Sequence, residues 1–153
     1  MEREFIGRTE ISDMRGKTCS HIEVDKHGAE MVFHTVCGHQ YIMVHEQDCC
    51  ENVSLDDICG DLEDLLHTPI VVAEAITNTE EDWEGDPQTI NEIQLTDLLH
   101  GNEEYTYDTD LCDSYTWTFY KMDTVKGGVT LRWFGESNGY YSEDVSIKKY
   151  KLT

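Results

Sequence analysis

The chain has 153 residues, 39% of them hydrophobic and 28% charged, with eleven Lys plus Arg against thirty-two Asp plus Glu and a formal net charge of -21. A domain of this size buries roughly 70% of its unfolded surface, so one self-sufficient core is expected. Such a charge disfavours direct contact with DNA, RNA or an anionic membrane and favours a basic partner, a cation or a salt-rich cytoplasm.

The opening stretch MEREFIGRTE lacks the apolar run of a signal peptide, and nowhere do eighteen apolar residues follow one another. A cytoplasmic protein is expected, with Cys19, Cys37, Cys49, Cys50, Cys59 and Cys112 mostly as reduced thiols.

Residues 1–15 read as a short strand or a loose N-terminal arm. From Gly16 the apolar residues alternate at Ile22 and Val24, Met31 and Phe33, then Tyr41 and Met43, with turn glycines at Gly28 and Gly38. That pattern predicts an antiparallel three-stranded meander. Ser54 as N-cap, Asp57 three residues on, and Leu55, Ile58, Leu62, Leu65 and Leu66 at helical spacing predict a helix over 55–66. Pro69 stops it, and a fourth strand begins there.

Residues 78–113 form an acidic excursion with one apolar cluster, Ile90, Ile93, Leu95, Leu98 and Leu99, and room for one short helix. Alternation returns at Ser114, where Tyr115, Trp117 and Phe119 share a face. Lys126-Gly127-Gly128 reads as a hairpin turn, with Val129, Leu131 and Trp133 turned to the core beyond it. Asn138-Gly139 reads as a type I′ turn, and a last strand runs through Val145 and Ile147. The expected fold class is α+β: a single domain over 1–153, a mostly antiparallel sheet of six to seven strands in the order βββαβ-βββ, and one main helix packed on it.

Two stretches are dense in chemistry. The first, within Tyr41 to Leu66, crowds His45, Glu46, Asp48, Cys49, Cys50 and Glu51 together; the second runs from Trp133 to Glu143. They are expected to meet in space. The runs GKTCSHIEV, HEQDCCENVSLDDICGDLEDLLHTPIVVAEA and TWTFYKMDTVKGGVTLRWFGESNGYYSEDV resemble an uncharacterised family of small bacteriophage and prophage proteins with a His-x-Gln-Asp-Cys-Cys-Glu element and a Ser-Asn-Gly-Tyr-Tyr-Ser element. The resemblance covers about Gly16 to Ile76 and Tyr115 to Ile147. It implies a viral origin and a host cytoplasm as workplace, and it carries over no activity.

Several constellations compete with plain structural roles. Cys37, His39, His45 and Cys49 or Cys50 are candidate zinc ligands, although no C-x-x-C pair is present and buried apolar thiols are the commoner explanation. Asp48, Glu51, Asp56 and Asp57 are candidate oxygen ligands for a divalent cation, or helix-capping carboxylates. Cys49 or Cys50 with His45 and Asp48 has the parts of a thiol enzyme, but the surrounding carboxylates oppose a thiolate. Trp133, Asn138, Tyr140 and Tyr141, with Arg132 and Lys121, have what a planar nucleotide-like ligand needs, against the alternative that the aromatics are core.

The acidic rows Asp56, Asp57, Asp61, Glu63 and Asp64, and Glu80 to Asp86, suit mimicry of DNA. The expected function is therefore a phage accessory protein that inhibits by stoichiometric, non-catalytic binding to a basic host defence or nucleic-acid-processing protein. His45, Asp48, Cys49, Cys50, Glu51, Trp133, Glu136, Ser137, Asn138, Tyr140 and Tyr141 form the expected recognition surface, with no cofactor required. The alternatives are a sponge for a nucleotide-like immune signal and, third, a metal- or thiol-dependent enzyme.

Overall fold

The computed structural model describes residues 3–47, 50–79, 114–137 and 142–152. These residues form nine strands: β1 (Arg3–Thr9), β2 (Cys19–Val24), β3 (Glu30–Thr35), β4 (His39–Val44), β5 (Asn52–Cys59), β6 (Val72–Thr79), β7 (Ser114–Thr124), β8 (Gly127–Ser137) and β9 (Ser146–Leu152). Two 3-10 turns, Ile11–Met14 and Leu62–Leu65, are the only helical segments among the described residues. None of the described helical segments is long and apolar enough to cross a membrane.

The strands make two antiparallel sheets, ordered β1-β9-β4-β3-β2 and β5-β8-β7-β6. Alternation explains each inner face. Met31, Phe33, Tyr41, Met43 and Ile147 from the first sheet meet Tyr120, Met122, Val129, Leu131 and Trp133 from the second in one core. Each such large side chain contributes roughly 1.5–3 kcal/mol on burial. The 3-10 turns close the ends of the sandwich with Ile11, Met14 and Leu65.

The meander is present as β2, β3 and β4, with Ile22 opposite Phe33 and Met31 opposite Met43. Residues 3–9 pair with β9 as an edge strand. On β7 the aromatic alternation holds, but the face that meets the first sheet is that of Tyr120 and Met122. Tyr115, Trp117 and Phe134 form a second buried cluster on the other face, with Trp117 and Phe134 ring centroids 5.1 Å apart. The β7–β8 reversal falls at Val125–Lys126, so Gly127 and Gly128 already belong to β8.

The α+β expectation is overturned: the described residues form an all-β fold, and among them no main helix packs on either sheet. Residues 52–59 pair along β8 from Asn52↔Glu136 to Cys59↔Thr130. Leu55, Ile58, Leu62, Leu65 and Leu66 fit a helical period, but Val53, Leu55 and Ile58 fit an alternating one as well once a bulge is inserted between Leu55 and Asp57. Pairing with a long central strand then outweighs local propensity. Gly60, at φ +115°, turns the chain out of the strand, and a Cβ there would stand 2.5 Å from the Gly128 carbonyl oxygen. Asp61 caps only the short turn that follows, its Oδ1 accepting from the Glu63 N–H at 3.0 Å.

The β2–β3 turn ties the first sheet to this edge strand. Leu55 N–H donates to the Gly28 carbonyl at 2.7 Å. Gly28 has φ +72°, and a Cβ on it would lie 2.4 Å from the Leu55 carbonyl oxygen. Gly28→Ala is therefore expected to destabilise by about 1–3 kcal/mol. Urea unfolding should show a lower midpoint with an unchanged slope; an unchanged midpoint would show that the turn does not press on β5.

Candidate functional site

The two chemically dense stretches meet at one end of the sandwich. His45 leaves β4 and its Nδ1 lies 2.6 Å from the Asp144 carbonyl oxygen, so Nδ1–H donates to the segment that precedes β9. Nε2 is buried and 3.9 Å from Glu51 Oε1, with the two side chains 5% and 0% exposed. The Gln47 amide donates to the Glu51 carbonyl. On the other side Glu143, also buried, accepts from Thr116 Oγ1 at 2.7 Å and from Ser137 Oγ.

The arrangement is a buried polar knot of two carboxylates, one imidazole and two hydroxyls. His45 ties the end of β4 to Asp144, and Glu143 ties the 142–145 segment to β7 and β8.

Other expected site residues have structural duties. Trp133 is fully buried in the core, and Glu136 lies opposite Asn52 and Tyr115. Cys50 is exposed and disulfide-bonded, so it is not an available nucleophile. Asp48, Cys49, Asn138, Tyr140 and Tyr141 lie outside the described residues, as do Cys112, the Glu80 to Asp86 row and the apolar cluster of the excursion.

Among the carboxylates assigned to a partner surface, Asp56 is withdrawn from solvent. The bulge in β5 turns it onto Arg132, whose Nε and a terminal nitrogen each lie 2.6 Å from Asp56 Oδ2, with the side chains 1% and 2% exposed. Asp57 and Asp64 are half-buried, while Asp61 and Glu63 are exposed. Removing one partner of a buried ion pair strands the other charge in a low dielectric. Asp56→Ala is expected to cost about 3–5 kcal/mol, whereas the double change Asp56→Leu/Arg132→Met should cost clearly less. Chemical denaturation of the three proteins decides it; equal losses for single and double variants would show that the pair is not a coupled unit.

The described members of the candidate ligand sets do not converge. Cys37 and His39 precede or begin β4 while His45 follows it, about 20 Å away at roughly 3.3 Å per residue, too far to share one tetrahedral ion. Glu51 faces His45 while Asp56 faces Arg132, so they do not converge on a cation. Among the described residues no group of three or more His, Cys, Asp and Glu has metal-binding geometry. Arg132 and Trp133 are likewise committed to the fold rather than to a planar ligand.

A second cluster was not anticipated as a unit. Asp13 Oδ2 accepts from Tyr41 Oη and from Lys149 Nζ, each at 2.9 Å, and Lys149 stands 5.5 Å from the Tyr41 ring centroid. The hydrogen bond from Lys149 holds the Asp13 carboxyl below its usual range. Beside it, Cys37 Sγ lies 3.2 Å from Thr35 Oγ1 and 3.5 Å from His39 Nδ1. The signal available in the sequence was Thr35-x-Cys37-x-His39, three positions of like parity across a turn.

Because the folded pKa of Asp13 lies below its unfolded value of about 3.9, its contribution is complete at neutral pH and is lost as pH falls through the folded pKa. Its side chain is 38% exposed, so screening limits the contribution to about 1 kcal/mol. Asp13→Asn should therefore lose up to that amount at pH 7 and flatten the acid limb of the stability curve; an unchanged acid limb in a pH series of urea melts would contradict this.

Fold and site together define a small all-β sandwich whose two loop segments are pinned by buried polar groups. Residues 12–147 match the family described as Domain of unknown function (DUF7448), and the chain belongs to that family. No curated protein and no solved structure matches the chain.

Proposed function

We propose that this is a bacteriophage accessory protein that works in the host cytoplasm by stoichiometric binding to a basic host protein of defence or nucleic-acid processing, without catalysis of its own. The observation that carries this reading is where the negative charge sits. Twelve of the thirty-two acidic residues fall within 80–113, which contains no Lys or Arg. Asp61 and Glu63 stay exposed on the turn after β5, the strand at one edge of the second sheet.

A field of one sign steers a basic partner and repels nucleic acid. The resemblance of the His45 to Glu51 and Ser137 to Ser142 elements to phage proteins supports the viral origin. The burial of His45, Glu51 and Glu143 supports a scaffold role for those elements, with recognition falling to the groups around them.

The test is native mass spectrometry of the protein with a candidate basic host nuclease or polymerase. A one-to-one complex is expected that duplex DNA displaces and that weakens at least tenfold between about 50 and 300 mM salt. The variant Glu63→Lys with Glu80→Gln, Glu81→Gln and Asp82→Asn should lose it. A complex indifferent to salt and to those substitutions, or a nucleotide mass retained by the purified protein, would overturn the reading.

A further inference from the structure

At the β3–β4 turn, at the other end of β4 from His45, lies a thiol paired with an imidazole. We propose that Cys37 and His39 form a nucleophile–base pair that undergoes exchange with small anionic disulfides, making Cys37 a site of reversible mixed-disulfide formation. The geometry is that of an activated thiol: Sγ stands 3.5 Å from His39 Nδ1, and Thr35 Oγ1 lies 3.2 Å away on the other side. Thr35 also fixes the turn, since its hydroxyl donates to the His39 carbonyl at 2.8 Å and accepts from the His39 backbone N–H at 3.2 Å. The imidazole is therefore presented to the sulfur by a rigid backbone.

Cys37 is exposed, whereas Cys19 is fully buried and its thiol is pushed up to about 11 by desolvation. Cys59 is half-buried, and Cys50 is already disulfide-bonded.

Electrostatics agree with that geometry. The Thr35 hydroxyl, when its one proton turns from the His39 carbonyl to sulfur, lowers the Cys37 thiol below its ordinary value, against partial burial and with help from the His39 backbone N–H and Lys17. Partial burial first, then Lys149, Lys17 and Lys151, lower His39, with Asp13 opposing them. At neutral pH the ring is thus uncharged and able to accept the thiol proton. In a chain of net charge -21 these lysines make a local cationic field, which is why an anionic disulfide is the favoured co-reactant.

The exchange is balanced. Cys37 passes its proton to His39 Nδ1 and the thiolate attacks one sulfur of R–S–S–R. The S–S bond breaks as Cys37–S–S–R forms, and the departing thiolate carries off the electron pair and recovers the proton from His39.

The experiment follows native protein with 5,5′-dithiobis(2-nitrobenzoate) as the anionic probe and cystamine as a cationic one. One equivalent is expected to react fast, with the adduct mapped to Cys37 by peptide mass, and Cys37→Ser should remove that phase. His39→Gln should slow it about tenfold at pH 7 and far less at alkaline pH, where the thiol ionises unaided. His39→Asn is the second variant if the first unfolds, and thermal melts report the fold of each. The proposal is overturned by a fast phase that survives Cys37→Ser, by folded His39 variants that react at the parent rate, or by cystamine reacting as fast as the anionic probe.

Discussion

The pairing of β5 with β8 is the constraint on which the remaining structure depends. It carries Asn52 to Cys59 along the edge of the second sheet and forces a bulge between Leu55 and Asp57. The bulge drives Asp56 inward onto Arg132. The same pairing sets Asn52 opposite Glu136 and so brings Glu51 to the end of β8. His45, Glu51, Ser137 and Glu143 can then close a polar knot that neither segment could build alone. Without that pairing, two carboxylates and an imidazole would have no reason to leave water.

Function is arranged around this frame by segregation of charge and chemistry. His45 and Glu51, which the sequence offers as site groups, are buried and face each other, which is the expected fate of polar side chains in a sandwich interior. Asp61 and Glu63 are exposed on the turn after β5, and residues 80–113 carry twelve more carboxylates. Cationic side chains gather instead on β9 and beside the first 3-10 turn, where Lys149 meets Asp13 and Tyr41.

Much of the fold was legible because alternation and turn glycines act over a few residues. Ile22, Met31, Phe33, Tyr41 and Met43 announced the meander, and Val129, Leu131 and Trp133 announced the inner face of β8. The stretch 55–66 was misread because its leucines and Ile58 satisfy the helical period, while the strand period is hidden by one extra residue in the bulge. The destination of β9, between β1 and β4 rather than beside β8, has no local signature, since strand partners across two sheets are chosen by the whole core.

At the site, the crowding of His45 and Glu51 was visible, but their burial was not, because a carboxylate in a sequence looks like surface. Lys149 and Asp13 are 136 positions apart, and only the folded register of β9 on β4 brings them together.

The most direct test of this account is the backbone state of residues 52–59 in solution, read from carbon chemical shifts and amide hydrogen exchange. The β5–β8 pairing predicts extended-chain shifts throughout, protection of the amides that face β8, and a break at the Leu55–Asp57 bulge. Helical shifts running from Leu55 to Leu66 would contradict it. They would take with them the burial of Asp56 and the meeting of the two chemically dense stretches.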